Sequence, residues 1–167
     1  LMNDIKASMR NIENIIGKSF GDTDNPLLVS VRSGAKESMP GMMETVLNVG
    51  LTEKTVGGLA RTSNSRRFAY DSYRRLIMMY ADVVMEKSAN INIDVGIRHL
   101  LEEHMDQYKQ NKNYTKDAEL DADDLIILCS EFKTIIKDKL NSDFPDDAIV
   151  QLESTIKAVF YSWNGER

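Results

Sequence analysis

The sequence predicts a mainly α chain of the α+β class, in which a helical subdomain follows a small sheet remnant. Hydrophobic residues recur at helical spacing from Thr52 almost to the end of the chain. Before Thr52, the segment LLVSVRS alternates as a β-strand does, and the following segment contains Gly34, Pro40 and Gly41, which do not suit a continuous helix. We predict three ranges, 1–51 with a helix, a strand and a loop, 52–145 as the helical subdomain, and 146–167 as a helix returning to the first range.

The first predicted element is an amphipathic helix, MNDIKASMRNIENIIG, which ends at Gly17, a common helix terminator. Its apolar stripe is formed by Ile5, Met9, Ile12 and Ile16. Residues 20–26 form a polar turn before a short, largely buried strand. The side chains on one face of that strand are Leu27, Val29 and Val31.

A single strand leaves its backbone N–H and C=O groups without partners. Residues 45–49 are a candidate partner for residues 27–32. If they do not pair, the partners of this strand lie outside the 167 residues, and the chain is an internal part of a longer protein. The glycine-containing loop between the two segments, residues 34–43, is predicted to be mobile.

Five helical segments are predicted after residue 51: TEKTVGGLAR, SRRFAYDSYRRLIMMYADVVMEK, VGIRHLLEEHMDQYKQ, DADDLIILCSEFKTIIKDKL and DDAIVQLESTIKAVFYSW. Asp121 with Asp124, and Asp146 with Asp147, place carboxylates at helix starts, where backbone N–H groups lack partners. Residues 109–117 are predicted to be an exposed linker. The second of these segments carries a predicted core stripe of Phe68, Leu76, Tyr80, Val83 and Val84.

Composition excludes some classes of function. A net charge of −5 and a pI near 5.1 argue against a nucleic-acid binder, which needs an excess of Lys and Arg. The sequence contains no apolar run of the ~18 residues typical of a membrane span and no signal-peptide pattern at its start. We therefore expect a cytoplasmic protein without membrane or nucleic-acid partners.

Cysteine and histidine residues indicate no catalytic or metal site. Cys129 is the only cysteine and lies at core spacing on a predicted helix, so we interpret it as a buried, inert thiol. His99 and His104 are five residues apart, which on a helix directs them roughly 140° apart. They are predicted to be separate surface or half-buried side chains.

Five arginines lie close together in the sequence, and two interpretations of them are open. They are Arg61, Arg66, Arg67, Arg74 and Arg75. The group could attract phosphate or an acidic partner. Helical spacing, however, brings Asp71 within reach of Arg67, Arg74 and Arg75, which favours a solvated, salt-bridged face.

The segment VRSGAKESMPGMM has the character of a phosphate-binding loop. An arginine that leaves a buried strand has its planar guanidinium directed outward, which suits bidentate contacts to phosphate. The glycines that follow let backbone N–H groups approach an anion closely. The segment matches neither the P-loop pattern nor GxGxxG, so the residues alone leave both a phosphate site and an ordinary strand-to-loop turn open.

A family resemblance favours the phosphate site. The stretch GDTDNPLLVSVRSGAKESMPGMMETVLNVGL, residues 21–51, resembles the ATP-binding segment of pyruvate phosphate dikinases. RFAYDSYRRLIMMYADVVM, ADDLIILCSEFK and AVFYSWN resemble later segments of that family, so the resemblance covers essentially the whole chain. SVRSGAKESMPGMMETVLNVGL is the most specific part, because phosphoenolpyruvate synthases and glucan dikinases differ across MPGMM.

The resemblance implies an ATP-grasp-like nucleotide-binding fold for the small sheet and its loop. It implies an enzyme that uses ATP, Mg²⁺, phosphate and pyruvate, and forms phosphoenolpyruvate, AMP and pyrophosphate through a phosphohistidine. Arg32 matches the family arginine that contacts ATP phosphates and is the predicted catalytic residue. The predicted nucleotide-binding residues are Arg32, Ser33, Gly34, Lys36, Ser38, Gly41, Met42 and Met43. Lys36 stands where many members have arginine.

The resemblance also implies what these residues lack. The family's phosphohistidine, metal-holding residues and pyruvate-binding barrel match no segment here, so we expect the chain alone to be inactive and to act with the remaining domains of a parent enzyme, itself a homodimer. No metal ligand is predicted within the chain. Two alternatives are a helical interaction module without nucleotide chemistry and part of a phosphoenolpyruvate synthase.

Overall fold

Helices dominate a computed structural model of the chain, which describes residues 1–34 and 43–164. Within these residues the strands are few and short, which confirms the predicted mainly α, α+β class. Most of the loop predicted to be mobile, residues 35–42, lies outside the described residues. Among the described helices, none is both long and apolar enough to cross a membrane.

The first helix, α1 (Met2–Ile16), ends where predicted. Gly17 adopts a left-handed backbone (φ 77°), and its N–H donates to the carbonyl of Glu13. Only half of the predicted apolar stripe is correct. Ile5 and Met9 pack against the core, whereas Ile12 and Ile16 are exposed.

The predicted strand is split into two short strands with different partners. β1 (Ser19–Phe20) pairs in parallel with β2 (Pro26–Leu27), so the predicted polar turn, residues 20–26, includes strand residues at both ends. β3 (Val29–Val31) pairs antiparallel with β4 (Val46–Val49) across an irregular register. The candidate pairing of residues 45–49 with residues 27–32 is therefore confirmed, and β3 has a partner within the chain. Val29 and Val31 are half-buried rather than fully buried.

Gly50 lies where the two small sheets meet. Its φ of 112° is rarely adopted by residues with a side chain, and a Cβ there would come within 2.8 Å of Phe20 Cε2 and 3.2 Å of the Leu27 carbonyl oxygen. The close approach requires glycine at this position. It brings the end of β4 against β1 and β2.

All five predicted helical segments are confirmed. The helical elements that follow the strands are α2 (Val56–Ser63), α3 (Arg66–Tyr80), a π-helix (Ala81–Lys87), α4 (Ile97–Asn111), a 3₁₀ turn (Asp117–Glu119), α5 (Ala122–Leu140) and α6 (Ala148–Asn164). The π-helix continues α3 directly and was not predicted. The linker predicted over residues 109–117 is shorter, because α4 extends through Asn111.

Side-chain caps fix the starts of three helices. The Ser65 hydroxyl accepts from the Phe68 N–H at the start of α3, and Asp121 and Asp124 form a reciprocal capping box at the start of α5. At α6 only one of the two predicted acids is a cap. Asp147 accepts from the Val150 N–H, whereas Asp146 instead accepts from the Tyr73 hydroxyl and pairs with Lys133.

The core forms around α3, which packs against α2, α5 and β4. The core stripe predicted on α3 and the π-helix is correct at Leu76, Tyr80, Val83 and Val84. Phe68 is the exception, because 53% of its surface is exposed. Cys129 is buried as predicted, and burial raises the pKa of its thiol to about 12.

α6 contacts the end of β4 through Gln151, whose side chain is completely buried. Gln151 Nε2 donates to the carbonyl oxygens of Leu51 and Pro145 at 2.8 Å, and Gln151 Oε1 accepts from the Gly50 N–H at 3.0 Å. These contacts attach the last helix to the strand region. Whether residues 1–51, 52–145 and 146–167 behave as separate units stays a prediction.

Candidate functional site

Arg32 directly follows β3, with its side chain exposed to solvent. The backbone before it is fixed, because Val29 and Val31 pair with β4 and pack against the core. Within residues 1–34 and 43–164, no acidic side chain forms an ion pair with Arg32. The structure therefore places an exposed, positively charged guanidinium at the end of a strand, as the sequence predicted.

Ser33, the residue after the exposed Arg32, is buried and only 7% exposed. Trp163 Nε1 donates to Ser33 Oγ over 2.9 Å. Gly34, the next residue, is exposed.

The far side of the predicted loop is held by different contacts. Met43 is half-buried and packs against the core, and Glu44 Oε2 lies 3.4 Å from Nη1 of Arg98 on α4. The same guanidinium lies 3.5 Å from the buried carboxylate of Asp82 in the π-helix. Both flanks of the loop thus contact helices distant in sequence.

Four of the predicted nucleotide-binding residues fall outside the described residues. These are Lys36, Ser38, Gly41 and Met42. The structure brings Arg32, Ser33 and Gly34 together at the end of β3, while Met43 lies on the opposite flank of the loop, ahead of β4.

The arginines near α3 are engaged in other interactions, which confirms the predicted salt-bridged face. Arg74 and Arg75 both pair with Asp71, and together they hold the pKa of that carboxyl below its usual range although its burial opposes this. Arg66 pairs with Asp123 and Arg61 with Asp24.

The predicted pairing of Arg67 with Asp71 is wrong. The Arg67 guanidinium instead donates to the carbonyl oxygens of Leu120 and Asp117, ahead of α5. Helical spacing predicts only partners three or four residues away, whereas these acceptors lie about fifty residues further along the chain.

The histidines are separate, as predicted. His99 Nε2 lies 3.2 Å from Glu103, and His104 Nε2 lies 2.6 Å from Glu131 on α5. His99 is exposed and His104 is half-buried. In the described part of the chain, no group of three or more His, Cys, Asp and Glu side chains is arranged to hold a metal ion.

The contact of Trp163 with Ser33 was not predicted from the sequence. Trp163 lies 130 positions from Ser33 and is 43% exposed, so neither local spacing nor burial indicates the contact. Its ring meets Phe160 edge-on, with the centroids 5.1 Å apart. The resemblance of AVFYSWN to a family segment was the only signal that this helix end matters.

Comparison with known proteins shows which family the chain is similar to. The family described as "Pyruvate phosphate dikinase, AMP/ATP-binding domain" matches residues 1–167. The chain is 48% identical to pyruvate, phosphate dikinase from Clostridium symbiosum over 93% of its length. It is 43% identical to the protein of the same name from Entamoeba histolytica over its full length.

A chloroplastic relative, pyruvate, phosphate dikinase 1 from Arabidopsis thaliana, is 44% identical over the whole chain. In each comparison the chain covers a small part of the relative. It spans 17% of the Clostridium protein, 18% of the Entamoeba protein and 16% of the Arabidopsis protein.

Proposed function

The chain belongs to the pyruvate phosphate dikinase AMP/ATP-binding domain family, and we propose that it forms part of the ATP-binding site of such an enzyme. The observation that carries this proposal is the exposed Arg32 at the end of β3, in the segment that most closely follows the family pattern. Its guanidinium would contact the ATP phosphates. The negative charge that develops as a phosphoryl group is transferred is stabilised by such a fixed cation.

The complete enzyme would convert ATP, phosphate and pyruvate to AMP, pyrophosphate and phosphoenolpyruvate through a phosphohistidine. The chain spans about a sixth of its relatives, and the carrier histidine and pyruvate site would be supplied by other parts of the parent enzyme. The parent would be a cytoplasmic homodimer, although some relatives are named as chloroplastic.

The neighbours of Arg32 would complete the phosphate side of the site. Ser33 and Gly34 offer backbone N–H groups next to the guanidinium, and backbone N–H groups at glycine-containing turns bind anions. The roles of Lys36, Ser38, Gly41 and Met42 rest on the family resemblance. Together with the small sheet, these residues would form one part of an ATP-grasp-like fold.

Magnesium would reach this site as the counter-ion of ATP. The described residues do not fit a magnesium site of their own, because they include no cluster of three or more carboxylate, imidazole or thiol groups. The proposed contribution of this chain is therefore positive charge and backbone N–H groups at the phosphates, with metal ligands drawn from other parts of the parent.

The test is the variant Arg32→Ala in the complete polypeptide that carries this chain. We expect ATP-dependent labelling of the carrier histidine to slow by roughly 10²-fold or more, as after loss of one preorganised charge contact in other active sites. Exchange between phosphoenolpyruvate and pyruvate should persist, because it does not use the ATP site.

The matched control is Arg66→Ala, which removes an exposed arginine whose ion pair with Asp123 is far from the loop in sequence. A surface pair of this kind contributes little to stability, so both half-reactions should continue at the normal rate. Equal loss of both half-reactions in Arg32→Ala, or no loss in either, would show that Arg32 is not the ATP-phosphate contact.

A further inference from the structure

The contact between Trp163 and Ser33 joins the end of α6 to the residue that follows Arg32. An indole nitrogen can only donate, so Ser33 Oγ is the acceptor in the 2.9 Å contact. The Ser33 hydroxyl hydrogen then remains available to donate to another group. Because Ser33 is 7% exposed, replacing its partner by an apolar group would leave a largely buried oxygen without that hydrogen bond.

α6 forms hydrogen bonds to residues that follow each of the two strands β3 and β4. Near its start, Gln151 bonds to the Gly50 N–H just after β4. Near its end, Trp163 bonds to Ser33 just after β3. Trp163 lies twelve residues after Gln151, which corresponds to about 18 Å of helix at 1.5 Å per residue.

Packing alone does not explain this use of tryptophan. The Trp163 ring is 43% exposed, and its edge-on contact with Phe160 on the same helix would also be available to phenylalanine. Phenylalanine has no N–H donor, so it cannot form the hydrogen bond to Ser33.

We propose that Trp163 is a positioning residue for ATP-dependent phosphoryl transfer, acting through Ser33 to hold the backbone of Arg32 in place. This inference rests on the proposed function of Arg32. When Ser33 is held in place, the Arg32 guanidinium samples a smaller range of directions. This matters for the rate, because small displacements of a charged group from the transferring phosphate slow the reaction.

The experiment measures single-turnover labelling of the carrier histidine with labelled ATP at saturating concentration, in the complete polypeptide that carries this chain. The rate constant reports the transfer step, and the amplitude reports the fraction of folded, competent molecules. The variants are Trp163→Phe, Ser33→Ala, the two together, Tyr161→Phe and Arg32→Ala. Tyr161 is 56% exposed on the same helix end and serves as the control for loss of a polar aromatic group.

We expect Trp163→Phe to lower the rate constant about 3–10-fold, the worth of one hydrogen bond, with its amplitude retained. In the Ser33→Ala background the same substitution should change the rate constant less than twofold, because its partner is already absent. Tyr161→Phe should match the unmodified protein.

Three results overturn the inference: an unchanged rate constant in Trp163→Phe, a loss confined to the amplitude, or equal losses with and without Ser33. Each would mean that Trp163 only packs against its neighbours. If Arg32→Ala leaves the rate constant unchanged, the proposed function itself fails. If Arg32→Ala slows transfer and Trp163→Phe does not, only the positioning role is lost.

Discussion

Replacing Gln151 by leucine should destabilise the fold more than any other single polar-to-apolar change that we propose. The Gln151 side chain is 0% exposed and makes three hydrogen bonds to backbone groups of Gly50, Leu51 and Pro145. Leucine has a similar volume but no polar atoms. Gln151→Leu therefore removes the partners of one N–H and two C=O groups without opening a large cavity.

The magnitude follows from the number of groups left unpaired. Each buried polar group that loses its partner costs about 1–3 kcal/mol, and we take the lower part of this range for each carbonyl, because its oxygen has two lone pairs and loses only one donor. We expect the free energy of unfolding to fall by about 3–5 kcal/mol. Urea denaturation of the 167-residue chain, followed by far-UV circular dichroism, measures this change.

The matched control is Gln107→Leu on α4, which removes an exposed side chain that donates to Asn111 across one helical turn. Its free energy of unfolding should stay within about 0.5 kcal/mol of the unmodified chain. A loss below about 1 kcal/mol in Gln151→Leu, or equal losses in both variants, would refute the view that Gln151 attaches α6 to the strands.

Three further predictions concern packing, pH and phosphorylation. Gly58→Ala should lower the free energy of unfolding by about 1–3 kcal/mol in the same urea assay, because a Cβ at this position would clash with the Thr23 carbonyl oxygen. Unchanged stability would contradict that close approach. The lowered pKa of Asp71 stabilises the fold at pH values above the unfolded pKa of about 3.8. As pH falls from about 5 through the folded pKa, this contribution to the free energy of unfolding should disappear, and the free energy of unfolding of Asp71→Asn should fall less over the same range. Neither His99 nor His104 should acquire label when the chain alone is incubated with labelled ATP, and stable labelling of either would make it a carrier candidate.

The helices could be predicted from the sequence because their signals are local. The capping box of Asp121 and Asp124 and the stop at Gly17 depend on residues within one turn of the helix end. Helical periodicity does not distinguish an α-helix from the π-helix that extends α3. Nor does it tell whether a residue near a helix start, such as Phe68, is covered by another element.

The strand and the site depended on long-range contacts that spacing does not encode. The alternation from Leu27 to Val31 gave a strand, but the change of partner at Leu28 is set by where β1 and β4 lie. The exposure of Arg32 could be predicted because it is a charged residue directly after a strand, whereas its role as a phosphate contact stays a prediction. The contact between Ser33 and Trp163 could not, because it connects opposite ends of the sequence.

The position of Trp163 also has a spectroscopic consequence. It is the only tryptophan among the 167 residues, so the tryptophan fluorescence of this chain comes from a single ring. That ring is partly exposed to solvent while its N–H is held by Ser33, beside the guanidinium of Arg32 in sequence. Without any added label, its emission wavelength and quenching report the environment where the chain leaves β3.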